Sequence, residues 1–469
     1  MNALFRKHFF SWILPSLILL GAASIYFSDV VFGDKQIYQS DIVGGLAKGR
    51  EIVEYRNDFG HEPFWTNSMF GGMPTFQIST EYPNNLLSYV QGFLTFLFIE
   101  NSGIYIIVSL MIGFFALLRS EGVRNELAVV GAIAFGFSAF FIISLAAGHN
   151  AKIRAAAYMA PLLIGVLMTL RGRLWLGFAL TALFTGLSVH ANHFQVTYYT
   201  AIPVLCLVIA FGIAAYNSGE VLPWVKKMGI LAAAATIGLG PNFGNLWSSY
   251  TYTKESTRGG FSALGDQNAE TNSGLTYDYA MKWSYGFSES LNLFIPNASG
   301  GGVMQTYEDT KLFPLVKSGI YEESKKNGQS LSAQQLNSAA NRQTGGIMYL
   351  GGEDPVHGAY YMGAVMLFLF IIGLQLIRGP ILWGSIAAVV ISLILAWGKN
   401  APIFNEPIFE YLPLYNKFRV PSMSLVVVFL IIPFIGFKGS ELLLKLDREK
   451  ALKVLKRATF ITENRTATV

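Results

Sequence analysis

One carboxylate, Asp41, follows the first long apolar run of the sequence by only a few residues. In that position it lies close to a membrane surface. There, partial desolvation tunes a carboxylate for general-base work or for holding a divalent cation beside a lipid-borne substrate. A structural reading competes with this one. The stretch after Asp41 alternates apolar and charged residues helically, and an Asp at a helix start caps free backbone N–H groups and suits the helix dipole. Both readings stand on the sequence. Glu51, Glu54 and Asp58 follow on the same stretch and read as solvated surface carboxylates.

Cations supply the second half of a candidate chemistry. Lys152 and Arg154, beside His149 and Asn150, fall in a turn that the distribution of basic residues would leave uncharged, and so do Lys417 and Arg419 in YNKFRVP. Charge-assisted hydrogen bonds hold phosphate oxygens, which makes Lys152 and Arg419 the candidates for a phosphate-bearing substrate. The alternative is that each snorkels to lipid headgroups or meets a loop carboxylate. His149 and His193 are further substrate-binding candidates. His190 and His193, with Asn192 and Gln195, also have a loose metal-like spacing, but no acidic third ligand follows, so a satisfied polar turn is the simpler description.

Two aromatic stretches look shaped for contact. PFWTNSMFGGMPTFQ, residues 63 to 77, sets Trp65, Asn67 and Phe70 around a Gly71-Gly72 pair and Pro74. Flat apolar faces of this kind stack on sugars or lie among lipid headgroups. Residues 276 to 302 carry Trp283, Ser284 and Glu289 ahead of a Gly-rich turn. Glu289 is a candidate second carboxylate for substrate, although a lone acidic residue in a long loop is ordinarily just solvated. The stretch from Pro314 to Arg342 reads as polar and mobile, without chemistry.

What must position these residues is a membrane. Of the 469 residues 52% are hydrophobic and 13% charged, with 34 Lys and Arg against 29 Asp and Glu; mean hydropathy is +0.42. A soluble domain carries about twice that charge, and a net +5 is too small to suggest nucleic acid. Cys206 is the single cysteine, so no disulfide or cysteine metal site forms within the chain. About ten apolar stretches have the length to span a bilayer. They fall near residues 10 to 32, 103 to 118, 127 to 147, 153 to 170, 174 to 190, 195 to 215, 228 to 247, 359 to 377, 380 to 397 and 420 to 437. The first run follows Arg6, Lys7 and His8; its length favours a retained helix over a cleaved signal peptide. A shorter run, Leu86 to Ile99, reads as interfacial or re-entrant.

Arg6, Lys7, Arg119, Arg124, Arg171, Arg173, Lys226, Lys227, Arg378 and the residues from Lys438 onward alternate with helix pairs, which predicts both termini in the cytoplasm. The expected organisation is a first transmembrane helix (1–32), an outer loop with an interfacial helix and a short apolar segment (33–102), and a six-helix membrane core (103–247). A large outer loop (248–358), a three-helix membrane part (359–437) and a basic cytoplasmic tail (438–469) follow. The tail, with Leu442, Leu446, Leu452 and Leu455 among Lys and Arg, reads as an amphipathic surface helix or a simple stop-transfer anchor. The cytoplasmic loops are short and hold no GxxxxGK[ST] or GxGxxG stretch, so no nucleotide site is expected.

An acidic residue just past the first membrane helix, then an interfacial helix and many spans, resembles the GT-C class of membrane glycosyltransferases. The stretches GDKQIYQSD (33 to 41), PFWTNSMFGGMPT (63 to 75) and PLYNKFRVPS (413 to 422) are more closely similar to the YfhO family. That resemblance implies an all-α, GT-C-like polytopic fold in a bacterial cytoplasmic (inner) membrane. It implies transfer of a sugar from a polyprenyl-phosphate donor to a cell-envelope polymer or lipid acceptor at the outer face. Asp41 then matches the first-loop acidic residue that activates the acceptor or holds a divalent cation. The family pattern is usually longer, which implies a short or truncated member. Two other functions remain open from the residues themselves: a transporter or flippase of a lipid-linked intermediate, and a noncatalytic assembly scaffold. A flippase needs polar or charged residues deep in several helices, and the apolar runs show few.

Overall fold

The structure is a computed structural model that describes residues 9–79, 84–97, 103–259, 274–301, 310–344 and 359–466. Arg6, Lys7 and His8, which bore on orientation, lie outside the described residues. So do residues 98 and 99 of the short apolar run and Gly302 of the second aromatic stretch.

The described residues are almost wholly helical. In chain order the helices of eight or more residues are α1 (Leu14–Tyr26), α2 (Ser40–Phe59), α3 (Leu86–Leu97), α4 (Ile104–Ser120), α5 (Asn125–Gly136), α6 (Ala139–Ala147), α7 (Asn150–Ala157), α8 (Met159–Leu170), α9 (Leu174–His190) and α10 (Phe194–Asn217). They continue with α11 (Val221–Leu239), α12 (Phe243–Thr253), α13 (Leu312–Lys326), α14 (Ala333–Thr344), α15 (Ala364–Leu376), α16 (Pro380–Trp397), α17 (Pro402–Tyr411), α18 (Leu425–Leu443) and α19 (Arg448–Thr466). The strands among the described residues are β1 (Trp65–Thr66) and β2 (Met73–Pro74), an antiparallel pair with Trp65 opposite Pro74.

Among the described residues five helical stretches are long and apolar enough to cross a membrane: Asn150–Leu170, Phe194–Asn217, Val221–Thr253, Pro380–Asn400 and Pro421–Leu443. The pair α5 and α6, bent by 42°, makes a sixth if it is one broken span. The protein is therefore an all-α, multi-pass membrane protein. The remaining apolar stretches of the sequence are helical too, but shorter, as in Ile104–Ser120, Leu174–His190 and Ala364–Leu376.

The centre of the bundle is α18. Every residue from Leu425 to Phe437 is buried, as a helix that is apolar all round requires. Helices α15, α16, α10 and α5 pack around it. Lipid tails offer no hydrophobic drive between helices, so close backbone approach has to supply the attraction. It does so where α15 crosses α18: a Cβ on Gly439 would stand 2.3 Å from the Cα of Gly373, and one on Gly373 would stand 2.4 Å from the carbonyl oxygen of Ile435.

The helix ends sort into two groups. At one end the Glu121 carboxylate, 1% exposed, meets Arg171 at 2.6 Å and Lys438 at 2.5 Å. Arg124 meets Glu441 there at 2.9 Å, and Lys227 Nζ donates to the carbonyl of Leu170 at 2.8 Å. These turns are ones that the basic-residue pattern assigned to one side. At the opposite ends of the α5–α6 pair and of α9 lie His149 and His193, and Asp41 of α2 stands beside His149. The buried ion pairs also explain how a basic end is built without repulsion, since each carboxylate is shared by two cations.

Two sequence expectations are corrected. The stretch from 314 to 342 is not an unstructured polar loop: α13 and α14 pack together through Phe313, Val316, Ile320 and Ala340. The tail does not lie free on the surface either. Helix α19 docks against α15 through Val454, Leu455 and Ala458, which meet Leu367, Phe368, Ile372 and Leu376.

The Gly373–Gly439 crossing leads to a test. Gly439→Ala should lower the thermal midpoint of the purified protein in detergent, by a loss on the order of 1–3 kcal/mol for an overpacked contact. Gly229→Ala, where an added Cβ meets nothing within 4 Å, should leave it unchanged or slightly higher. Equal midpoints for the two variants would remove the crossing from its central role.

Candidate functional site

Gln39 fixes where the first loop starts. Its side chain is 9% exposed, and its Nε2 donates to the carbonyl of Leu145 at 2.5 Å and to Asn150 Oδ1 at 2.9 Å. Asn150 Nδ2 donates back to Gln39 Oε1 at 3.1 Å. This reciprocal amide pair sets the first turn of α2 against the junction of α6 and α7. Gly148, at φ +90°, lies in that junction, and an added Cβ would stand 3.1 Å from Asp41 Cβ and 3.2 Å from the backbone N of Ile42. Both the left-handed backbone and the close approach call for glycine.

The approach brings Asp41 Oδ2 to 3.1 Å from His149 Nε2, with the two side chains 60% and 44% exposed. Asp41 is in the first turn of α2, after the N-cap residue Gln39, whose side chain makes no capping hydrogen bond. The helix dipole therefore favours a carboxylate here, and its particular neighbour is an imidazole. Its exposure means that His149, rather than desolvation, is what distinguishes this carboxylate from others on the surface.

Lys152 is not in an outer turn, as the sequence suggested. It lies in the first turn of α7, 4% exposed, with Nζ 4.3 Å from the centroid of the Phe140 ring. A cation held there over an aromatic face keeps its charge inside the protein. His193 closes the group. It stands at the N-cap of α10, where its Nδ1 accepts from the backbone N–H of Val196 at 3.4 Å. Burial first, then the positive charges of Lys152 and His149, push the His193 imidazole down to about 4. Asp41, His149, Lys152 and His193 thus form one group built from three separated segments.

Arg419 is joined to this group by its backbone. Gln195, two residues beyond His193, donates from Nε2 to the carbonyl of Arg419 at 2.6 Å. The next residue, Val420, has φ +62°, an outlier for a β-branched side chain, and its N–H is held by the carbonyl of Ala280 at 3.1 Å. The Arg419 side chain turns to a second cluster. Its Nη1 donates to Tyr279 Oη at 2.9 Å, and the guanidinium lies 5.5 Å from the centroid of Trp283. Lys282 Nζ is 5.1 Å from the Trp283 ring, and Lys417 Nζ donates to the carbonyl of Arg258 at 2.7 Å. Burial, then the neighbouring Arg419, push Arg258 down from its ordinary value. Among the described residues Arg258 and Arg419 have no ion-pair partner, so this is a basic, aromatic-walled surface.

The other candidates fall elsewhere. Trp65 is 56% exposed on β1, next to Phe64 at 88%. Asn67 is part of a turn gripped by Glu51, whose Oε2 accepts from Thr66 Oγ1 and from the backbone N–H groups of Asn67 and Ser68 at 2.9 and 3.0 Å. Glu51 is thus the anchor of the hairpin, not a solvated carboxylate, and the hydrogen bond from Thr66 leads in holding it below the usual carboxylate range. Glu54 pairs with Arg50 at 2.7 Å. Glu289 is likewise not solvated: it is fully buried and accepts from the backbone N–H of Gly286. His190 meets Asn85 Nδ2 at 3.4 Å.

Among the described residues no three His, Cys, Asp or Glu side chains gather closely enough to hold a metal ion. Asp41 and His149 make two-thirds of such a set. Comparison of the chain with protein-family models, with curated proteins and with solved structures gives no match. Arg258 and Gln39 were not singled out from the sequence, and Gln195 was named there only beside the histidines, not for its hold on Arg419. Each owes its position to a contact more than a hundred residues away, and no local spacing marks such a contact.

The neutral His193 generates a pH prediction. Its folded value is depressed to about 4, so between its ordinary value of 6.5 and that point the unfolded chain takes up a proton that the folded chain refuses. Stability is full above pH 6.5 and falls as pH drops toward 4, by on the order of 2–3 kcal/mol. Thermal midpoints measured from pH 7 to 4.5 should fall less steeply in His193→Asn, which keeps a helix-capping side chain. Parallel curves would show that another group carries the dependence.

Proposed function

We propose that this protein is a membrane glycosyltransferase of the GT-C type, akin to the YfhO family. In this reading it transfers a sugar from a polyprenyl-phosphate donor to a cell-envelope acceptor at the outer face of a bacterial cytoplasmic membrane. About ten spans then cross the bilayer, the shorter apolar helices among them, with both termini in the cytoplasm. The observation that carries the reading is the gathering of Asp41, His149, Lys152 and His193 at the helix ends opposite the Glu121 and Glu441 ion pairs.

Each residue then has a role at that end. The Asp41 carboxylate accepts the proton of the acceptor hydroxyl as that oxygen bonds to the anomeric carbon, while the bond from that carbon to the phosphate oxygen breaks and polyprenyl phosphate leaves. His149, 3.1 Å away, orients the carboxylate and shares the proton. Lys152 and Arg419 supply positive charge toward the phosphate as its charge develops. His193, kept neutral, adds no competing cation. Asp41 and His149 are the residues that would hold a divalent cation, which would supply Lewis-acid charge toward a phosphate. Trp65 and the Tyr279–Trp283 wall offer faces for sugar rings.

Purified protein supplied with polyprenyl-phosphate sugars and envelope acceptor tests this. Transfer should fall about 100-fold or more in Asp41→Asn with the thermal midpoint retained. Unchanged transfer in the folded variant would remove Asp41 from the reaction. Lipid flipping in vesicles without any transfer would favour a flippase instead.

A further inference from the structure

Below the Asp41 group, Arg154 sits one helical turn deeper than Asn150 on α7. Its Nη2 donates to Tyr105 Oη, and its Nε is buried without a hydrogen-bond partner among the described residues. The next residue on the same face, four positions on, is Tyr158, which donates from its hydroxyl to Gln91 Oε1 at 2.6 Å. Gln91 is 9% exposed, and its Nε2 also lacks a partner among the described residues.

The inventory of this cluster is one-sided. Arg154 Nε–H, the Gln91 amide N–H groups and the Tyr105 hydroxyl, already accepting from Arg154, are all donors in need of an acceptor. Gln91 Oε1 is taken by Tyr158. Among the described residues no carboxylate pairs with Arg154. A guanidinium in an apolar helix bundle without a counter-charge is costly, and so is a buried amide with free N–H groups. One chemical class satisfies all three: a group that only accepts and carries negative charge, with several oxygens.

The surroundings indicate how such a group arrives. Gln91 is on the inner face of α3, which leans on α4 and α9. The opposite face of α3 exposes Leu86, Tyr89, Phe93 and Phe96, so the helix stands between the cluster and lipid. We infer that Arg154, Gln91 and Tyr105 form a binding site for the phosphate of an anionic lipid, entered from the bilayer beside α3. This site goes beyond the transfer reaction, since it is defined by binding and needs no turnover.

The full chain in phosphatidylcholine nanodiscs, with and without phosphatidic acid, provides the test. Native mass spectrometry should show one retained phosphatidic acid on the wild type, with a raised thermal midpoint. Arg154→Gln should weaken that retention at least tenfold, while Lys48→Gln, an exposed cation on α2, should not. Gln91→Glu should do the opposite of an ordinary loss: its carboxylate pairs with Arg154, raising the midpoint without added lipid and abolishing retention. Should Arg154→Gln fail to fold, Gln91→Leu serves in its place with a several-fold loss. Inorganic phosphate competing for retention, or raising the midpoint in an Arg154-dependent way by itself, would keep the anion site and assign its source as a free phosphate. Equal retention by Arg154→Gln and wild type, or equal loss with Lys48→Gln, would overturn the site. Neither result bears on Asp41, so the failure of this inference and of the transfer reading are told apart.

Discussion

The reciprocal amide pair of Gln39 and Asn150 is the contact on which the functional end of the molecule depends. An amide in a buried setting must satisfy a donor and an acceptor at once, and another amide facing it head to head does both. The pair therefore specifies a register, not only a proximity. With Gln39 in place, the first turn of α2 can only run past Gly148, and Asp41 can only fall beside His149. Everything downstream in the first loop, from the hairpin gripped by Glu51 to the Arg56 contact with the carbonyl of Ser79 at 2.8 Å, builds outward from that fixed start.

The two ends of the bundle solve opposite electrostatic problems. At the Glu121 end cations are numerous and two buried carboxylates tie them together in pairs. At the Asp41 end several cations lie against rings: Lys152 on Phe140, Arg419 on Tyr279 and Trp283, Arg154 on Tyr105, while Arg258 and Lys417 donate to each other's carbonyls. An aromatic face stabilises a cation without neutralising it. The first end is a closed structural account, while the second retains positive potential for something to arrive.

The sequence disclosed a good deal of this. Apolar runs of spanning length marked the helices, and the helical alternation after Asp41 marked α2, because both patterns are local. His149, Lys152 and His193 were legible as misfits, charges or imidazoles where a membrane protein would rather have none. What stayed hidden was direction. Nothing in YNKFRVP says that the Arg419 backbone faces Gln195 while its side chain faces Trp283; Val420 had to be forced into a left-handed conformation for that, and β-branched residues give no such hint. Glu289 and Glu51 misled in the same way, since a carboxylate in a loop looks solvated until the fold closes over it. The α13–α14 pair was missed because its apolar contacts are few and its composition is that of a loop.

The length of the Val221–Thr253 helix carries a last consequence. At about 1.5 Å per residue its 33 residues measure about 50 Å, roughly 20 Å more than a bilayer core. The overhang is not idle: its far end holds the first loop through Ser249, which accepts from Gln77 at 3.2 Å, and through the Tyr252 ring against Phe76. The helix therefore works as a gauge of height. The α11–α12 stretch, joined through the Gly240–Asn242 turn, sets how far from the bundle the loop rides, and so how far any bound molecule has to reach to meet it.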